Sequence, residues 1–275
     1  MNTASFFFSV HIAFYEVIFL FGTVELYERE KGLKERLKRA FTGDRIITEK
    51  VSLPENEYFY RIKVPVHKGK IPEERLKRIT ASLTDGLIFP EGFKSSVQIK
   101  SYSSSYFRDI LLFNSAVSRL KKSVLNPAET LITLIDKKGV LHTEIGRLVS
   151  FAGELKVITD NRRAYEAQAK RLMEEYGISL FVSDKLSAIP EKGIIISCRS
   201  DTVPVYFKGL LITGEKRLLP FARVLTGEGI KIRGCYESLC PAGINLTDFI
   251  SALCEVCFVK ELRSSEYEKL VDISL

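Results

Sequence analysis

The chain has 275 residues, 45% of them hydrophobic and 27% charged, the proportions of an ordinary globular protein able to bury a substantial core. Its 9 prolines and 17 glycines are scattered, and no self-similar period of roughly 20 to 50 residues is visible, which excludes collagen-like, solenoid and long disordered architectures. The formal charge is +7, and it is uneven: residues 24–123 hold 21 basic and 13 acidic side chains, whereas residues 124–275 hold 20 of each. That asymmetry implies two units. Glutamates interleave with most of the basic residues, the pattern of a solvated face, so nucleic acid is disfavoured as a partner and a small anionic molecule is preferred.

Residues 6–22, FFFSVHIAFYEVIFLFG, are almost wholly apolar. Three readings stay open: a single N-terminal membrane anchor at the short limit of span length, a cleaved signal without a basic n-region, or upstream sequence read in frame before a start at Val24. On the last reading residues 1–23 are an extension, the domains are 24–125 and 126–275, and a chain beginning at Val24 should fold as well as the full chain. Leu26, Leu33, Leu37 and Phe41 then predict a helix over 24–41 stopped by Gly43. EYFYRIKVPV (57–66) alternates as a half-buried strand, and PEERLKRITASL (72–83) has proline and glutamates at a helix start. GLIF (86–89) and VQIKSY (97–102) read as strands, and residues 104–125 as a long helix before Pro127. Together these make a small basic α+β unit.

In the second unit LITLID (131–136), LKVITD (155–160), ISLFVSD (178–184) and GIIISC (193–198) are apolar runs of strand length. Between them VLHTEIGRLVSFAG (140–153) and RRAYEAQAKRLMEEYG (162–177) show helical spacing with closing glycines. VPVYFKGLLITG (203–214) adds strand material and 247–258 a closing helix. Unbroken apolar strands separated by helices predict an α/β fold with a Rossmann-like parallel sheet.

Cys235, Cys240, Cys254 and Cys257 give the spacing C-x4-C-x13-C-x2-C, which a zinc ribbon could use. The last two lie at helical spacing among apolar residues, so they are read as packed thiols and no metal is expected. Reduced thiols and an odd cysteine count fit the cytoplasm. His11, His67 and His142 form no ligand pair, and no P-loop or G-x-S-x-G elbow occurs.

Ligands in such sheets bind beyond the carboxyl ends of the strands, which directs attention to the loops at Asp136, Thr159, Ser183 and Ser197. DKKGVL (136–141) has one glycine, Gly139, where a dinucleotide fingerprint has three. Asp160 ends the second strand where an acid can hold a ribose, and Arg162 with Arg163 could pair a 2′-phosphate, so NAD(P) is carried as a candidate cofactor. The competing reading is that Asp160 or Asn161 caps the next helix. The candidate ligand-binding residues are therefore Asp136, Gly139, Thr159, Asp160, Arg162 and Arg163.

DKKGVL followed by VITDN resembles the first two motifs of the haloacid dehalogenase (HAD) superfamily of phosphotransferases. The resemblance implies Asp136 as nucleophile and Thr159 as phosphoryl ligand. It spans about 30 residues and departs at Lys138 and Val140, where that pattern has aspartate and threonine. ETLITLIDKKGVLHTEI and ITDNRRAYEAQAKRLMEEYG also resemble a conserved Rossmann-like protein type of low-GC Gram-positive bacteria. That resemblance implies a cytosolic bacterial protein and adds no catalytic residues. The function expected is a degenerate Rossmann-like site for a small anionic ligand, or a regulatory or interaction role. The alternative is a nucleotide-dependent oxidoreductase or HAD-like phosphotransferase.

Overall fold

The computed structural model describes residues 21–28, 45–54, 57–66, 70–81, 83, 85–198 and 203–274. They form two compact units: the chain up to Leu87 with Lys94–Ser101, and Ile88–Phe93 with everything from Tyr102 onward. The boundary expected at 125 is thereby corrected.

The first unit holds β1 (Phe21–Glu28), β2 (Ile47–Ser52), β3 (Tyr58–Val66), α1 (Glu73–Thr80) and all but the last residue of β4 (Gly86–Ile88), with strand order β2-β3-β1-β4. The helix expected from Val24 is replaced, over the described residues, by an inner strand running parallel to β3 from Gly22↔Tyr60 to Glu28↔Val66. The cause is burial. Phe21 and Val24 are fully enclosed, the Phe21 ring stacks on Phe59 with centroids 5.5 Å apart, and a Cβ on Gly22 would lie 3.0 Å from Leu87. An extended backbone, with strands on both sides, buries successive residues on both faces, which a surface helix cannot do. Residues 29–41 of the expected helix and 6–20 of the apolar run lie outside the described residues. Among those described, no helix is long and apolar enough to cross a membrane. The strand expected over 97–102 is absent apart from a bridge between Ser101 and Leu87.

The second unit contains α2 (Phe107–Lys121), β5 (Leu131–Ile135), β6 (Glu154–Ile158), α3 (Arg162–Tyr176), β7 (Leu180–Ser183), β8 (Ile194–Ser197), β9 (Leu210–Thr213), β10 (Arg223–Glu228), α4 (Leu246–Glu255) and β11 (Lys269–Asp272). Its seven strands run β11-β10-β9-β8-β5-β6-β7, all parallel except β11. This is a Rossmann-like α/β layer, as expected. From β5 the chain winds outward through β6 and β7, then resumes on the other side with β8, β9 and β10, leaving a crevice at the carboxyl ends of β5 and β8.

Helix α2, expected in the first unit, belongs here because Leu112, Phe113, Ala116, Val117 and Leu120 pack with Ile132, Leu134 and Ile194 in one core. The helix expected over 140–153 is instead a series of turns and a 3-10 segment, Ile145–Phe151. Leu141, Ile145 and Leu148 are buried as a helix would bury them, so the apolar spacing was satisfied by a tighter winding. Helix α3 ends as the sequence predicts, on Gly177 at φ +67° with its N–H donating to Met173.

A chain beginning at Val24 loses the buried Phe21 and the pairs Gly22↔Tyr60 and Thr23↔Arg61. Against the expectation from sequence, the truncation should cost the first unit about 3 kcal/mol or more, the scale of deleting a buried phenylalanine. Amide exchange along Tyr58–Val66 should rise accordingly. Equal exchange and equal melting temperatures for the two chains would contradict this assignment of the strand.

Candidate functional site

The loop after β5 is organised by Asp136. Its Oδ1 accepts the Gly139 N–H at 3.0 Å, and its Oδ2 accepts the Leu141 N–H at 2.8 Å and the Tyr165 hydroxyl at 2.6 Å. The residue is 4% exposed. A buried carboxylate needs hydrogen bonds in place of its lost hydration, and three donors supply them here. Gly139 adopts φ +76°, and a Cβ there would lie 2.9 Å from the side chain of Asn161, so the glycine serves the turn and its contact with Asn161.

This geometry does not fit a pyrophosphate bound at the first loop. A dinucleotide fold presents outward amides at the start of an α-helix, but here the amides of Gly139 and Leu141 point at Asp136, and turns follow. The same bonds leave Asp136 engaged on both oxygens, where a carboxylate nucleophile needs one free to attack.

The other sequence-predicted residues cluster at the end of β6. Thr159 is buried, and its Oγ1 accepts the Asn161 N–H at 3.1 Å. Asp160 pairs with Lys137 at 2.9 Å, and Lys137 also reaches the Asp184 carbonyl at 3.3 Å. Asn161 stands at the N-cap of α3 but makes no capping bond, its Nδ2 pointing to the Lys138 carbonyl at 3.4 Å. Arg162 and Arg163 are exposed in the first turn of α3.

A cavity of about 570 Å³ opens instead at the carboxyl ends of β5, β8 and β9, against the start of α2. Of the six predicted site residues only Asp136 lines it. Asp109 and Arg108 come from α2, Lys138 from the β5 loop, Cys198 from the end of β8, and Tyr267 from the approach to β11. Tyr267 is seated by Gly227 of β10, where any Cβ would fall about 2.2 Å from the ring. Its hydroxyl and the Cys198 sulfur both face Gly214, at 3.4 and 3.5 Å from an ideal Cβ there.

The electrostatics of this group favour bound protons. Burial pushes the Asp109 carboxyl up, the Cys198 hydrogen bond and Lys138 oppose that rise, and the charges of Asp136 and Glu255 add to it. Burial, followed by the neighbouring Asp109, pushes the Cys198 thiol well up. Tyr267 is pushed up to about 12, chiefly by burial. Thiol and phenol are therefore neutral donors at neutral pH, beside the Arg108 guanidinium held by Asp248 at 2.7 Å and the Lys138 ammonium that donates to the Ser105 carbonyl.

The amino end of α2, which borders the cavity, already carries an anion. Glu255, at the last turn of α4, accepts the N–H groups of Ser105, Tyr106 and Phe107 and the hydroxyls of Tyr102, Ser104 and Ser105. Burial raises its pKa, but these backbone bonds outweigh burial and hold it below the ordinary 4.5. An internal carboxylate thus takes the position at the positive end of the helix dipole. Nothing in the sequence around Glu255 announced this, since donor and acceptor lie 148 residues apart for Phe107.

No family model and no curated relative matches the chain. Among solved structures it is similar to L-tryptophan dehydrogenase from Nostoc punctiforme, at 12% identity and TM-score 0.28, covering 70% of this chain and 62% of that one. It is also similar to shikimate dehydrogenase from Aquifex aeolicus, at 11% and 0.23, covering 70% and 77%. A third likeness is to a chorismate mutase/shikimate 5-dehydrogenase fusion protein from Clostridium acetobutylicum, at 14% and 0.19, covering 70% and 76%. Values at this level support no transfer of activity, and the fold assignment stands on the strand order itself.

Glu255→Ala should destabilise the protein by about 1–3 kcal/mol, the scale of losing a charged cap. Because the folded pKa is depressed, the contribution is present above the ordinary value of 4.5 and lost as pH falls through the folded one. Denaturant unfolding should therefore show the gap between wild type and variant closing in acid. A gap that stays constant down to pH 3, or no gap at neutral pH, would refute the cap.

Proposed function

We propose that the protein binds a small anionic molecule, of the size and polarity of a hydroxy- or keto-carboxylate, in the cavity at the ends of β5, β8 and β9. The observation that carries the reading is the convergence there of three cations, Arg108, Lys137 and Lys138, with Asp109, whose pKa burial raises, and with the neutral thiol of Cys198 and phenol of Tyr267. The cations attract a carboxylate, and neutral hydroxyl and thiol donors bond its oxygens without repelling it. Burial raises the Asp109 pKa, so this carboxyl opposes an anion less than an exposed aspartate would. The cavity volume suits one small molecule. A cytosolic setting is supported by five free cysteines, which a reducing compartment maintains. Dinucleotide-dependent oxidoreduction and HAD-like phosphoryl transfer are the less favoured readings, because the first loop directs its amides inward onto Asp136.

A thermal-shift panel of small carboxylates, NAD and NADP tests this. A carboxylate at 100 times its Kd should raise stability by about 2.7 kcal/mol, and the dinucleotides should have no effect. Lys138→Ala should weaken the carboxylate about tenfold, a typical loss for a charge-assisted bond. Affinity should also fall as pH rises through the raised Asp109 pKa, because the ionised carboxylate repels the ligand, and Asp109→Asn should flatten that dependence. Stabilisation by dinucleotides alone, or carboxylate binding indifferent to Lys138 and Asp109, would overturn the assignment.

A further inference from the structure

A second concavity in the C-terminal unit, of about 520 Å³, shares no lining residue with the cavity. Five cations face it from four stretches of chain: Lys121 at the end of α2, Arg147 in the 3-10 segment after β5, Arg233 after β10, and Lys260 and Arg263 after α4. Two carboxylates line it with them, and a third, Glu144, pairs with Arg147 at 3.0 Å. Glu261 accepts the Tyr236 hydroxyl at 2.6 Å, and Glu266 pairs through its backbone with Lys231. Lys121, Arg233 and Lys260 form no ion pair among the described residues.

The site is built from beneath. Asn114, only 7% exposed, donates through Nδ2 to the carbonyls of Arg263 at 2.8 Å and Ser265 at 2.9 Å, while its Oδ1 accepts from Arg147 at 2.6 Å. One buried amide thereby joins α2 to the segment carrying Lys260 and Arg263 and fixes the Arg147 guanidinium, which also lies 5.3 Å over the Phe113 ring. Arg263 lies 6.0 Å over Tyr106. Solvated faces intersperse charges of both signs, whereas here an excess of cations is gathered around a hollow with one guanidinium held at its floor.

We infer that this hollow is a binding site for a small polyanion bearing several phosphate or carboxylate groups. Lys121, Arg233 and Lys260, without ion pairs among the described residues, supply charge, and the Arg147 guanidinium, fixed by Asn114, supplies directional donors suited to planar or tetrahedral oxyanions. Its volume is that of a single small ligand, and a concave site of this size fits such a molecule better than the extended backbone of a nucleic acid.

Inorganic triphosphate titrated calorimetrically into the full chain is the probe. Saturable one-to-one binding that weakens as salt is added is expected. The double replacement Arg233→Ala with Lys260→Ala should lower affinity about tenfold or more without moving the melting temperature. Lys185→Ala with Lys192→Ala, exposed cations elsewhere in the unit, should leave affinity unchanged, and so should Lys138→Ala in the carboxylate cavity. The inference fails if triphosphate does not saturate, if either control weakens binding as much as the double replacement, or if a single-stranded RNA homopolymer binds tighter through Arg233 and Lys260.

Discussion

A buried carboxylate at the end of the first strand of the parallel sheet sets the character of the second unit. Taking a carboxylate out of water costs several kcal/mol unless hydrogen bonds replace its hydration. Asp136 recovers that cost from two amides of its own loop and from Tyr165 of α3, itself fully buried. These bonds tie β5, its loop and α3 into one structure. They also turn inward the backbone donors that a Rossmann-like layer would ordinarily offer to a phosphate, so a familiar sheet order carries a loop of different chemistry.

The open cavity lies on the other side of the switch point. Strand order brings the ends of β5, β8 and β9 together, and α2 crosses beside them with its amino end held by Glu255. Because that carboxylate already satisfies three amides, the helix end is fixed, and Arg108 and Asp109 in its first turn are presented to the cavity from a rigid support. Tyr267 depends on Gly227 for its seat, so the cavity draws on β10 as well as on the strands that open into it.

Much of the layer was legible in the sequence. LITLI, LKVI and GIII are apolar runs of strand length, and α3 announces its end with Gly177; these are local signals, and the structure keeps them. The inner strand β1 was misread because Leu26 and Leu33 stand seven residues apart, a spacing that suits a helix, while the burial that decides the matter comes from partners at Tyr58–Val66. β2 alternates without an apolar face and has no local signature. The cavity was the least legible part. Asp136 and the loop at Ser197, which carries Cys198, were marked as strand ends, whereas Asp109 and Tyr267 meet them only through the order of the strands, and nothing in their own neighbourhoods marks them.

The central claim, that the first loop is closed on Asp136 through the amides of Gly139 and Leu141, is open to direct observation. Backbone amide resonances of Gly139 and Leu141 can be followed by NMR while NADP is titrated to millimolar concentration. With those amides committed to Asp136, their shifts should stay still and their exchange with solvent should remain slow. Saturable movement of both resonances at micromolar NADP would show the loop opening to a pyrophosphate and would contradict the account.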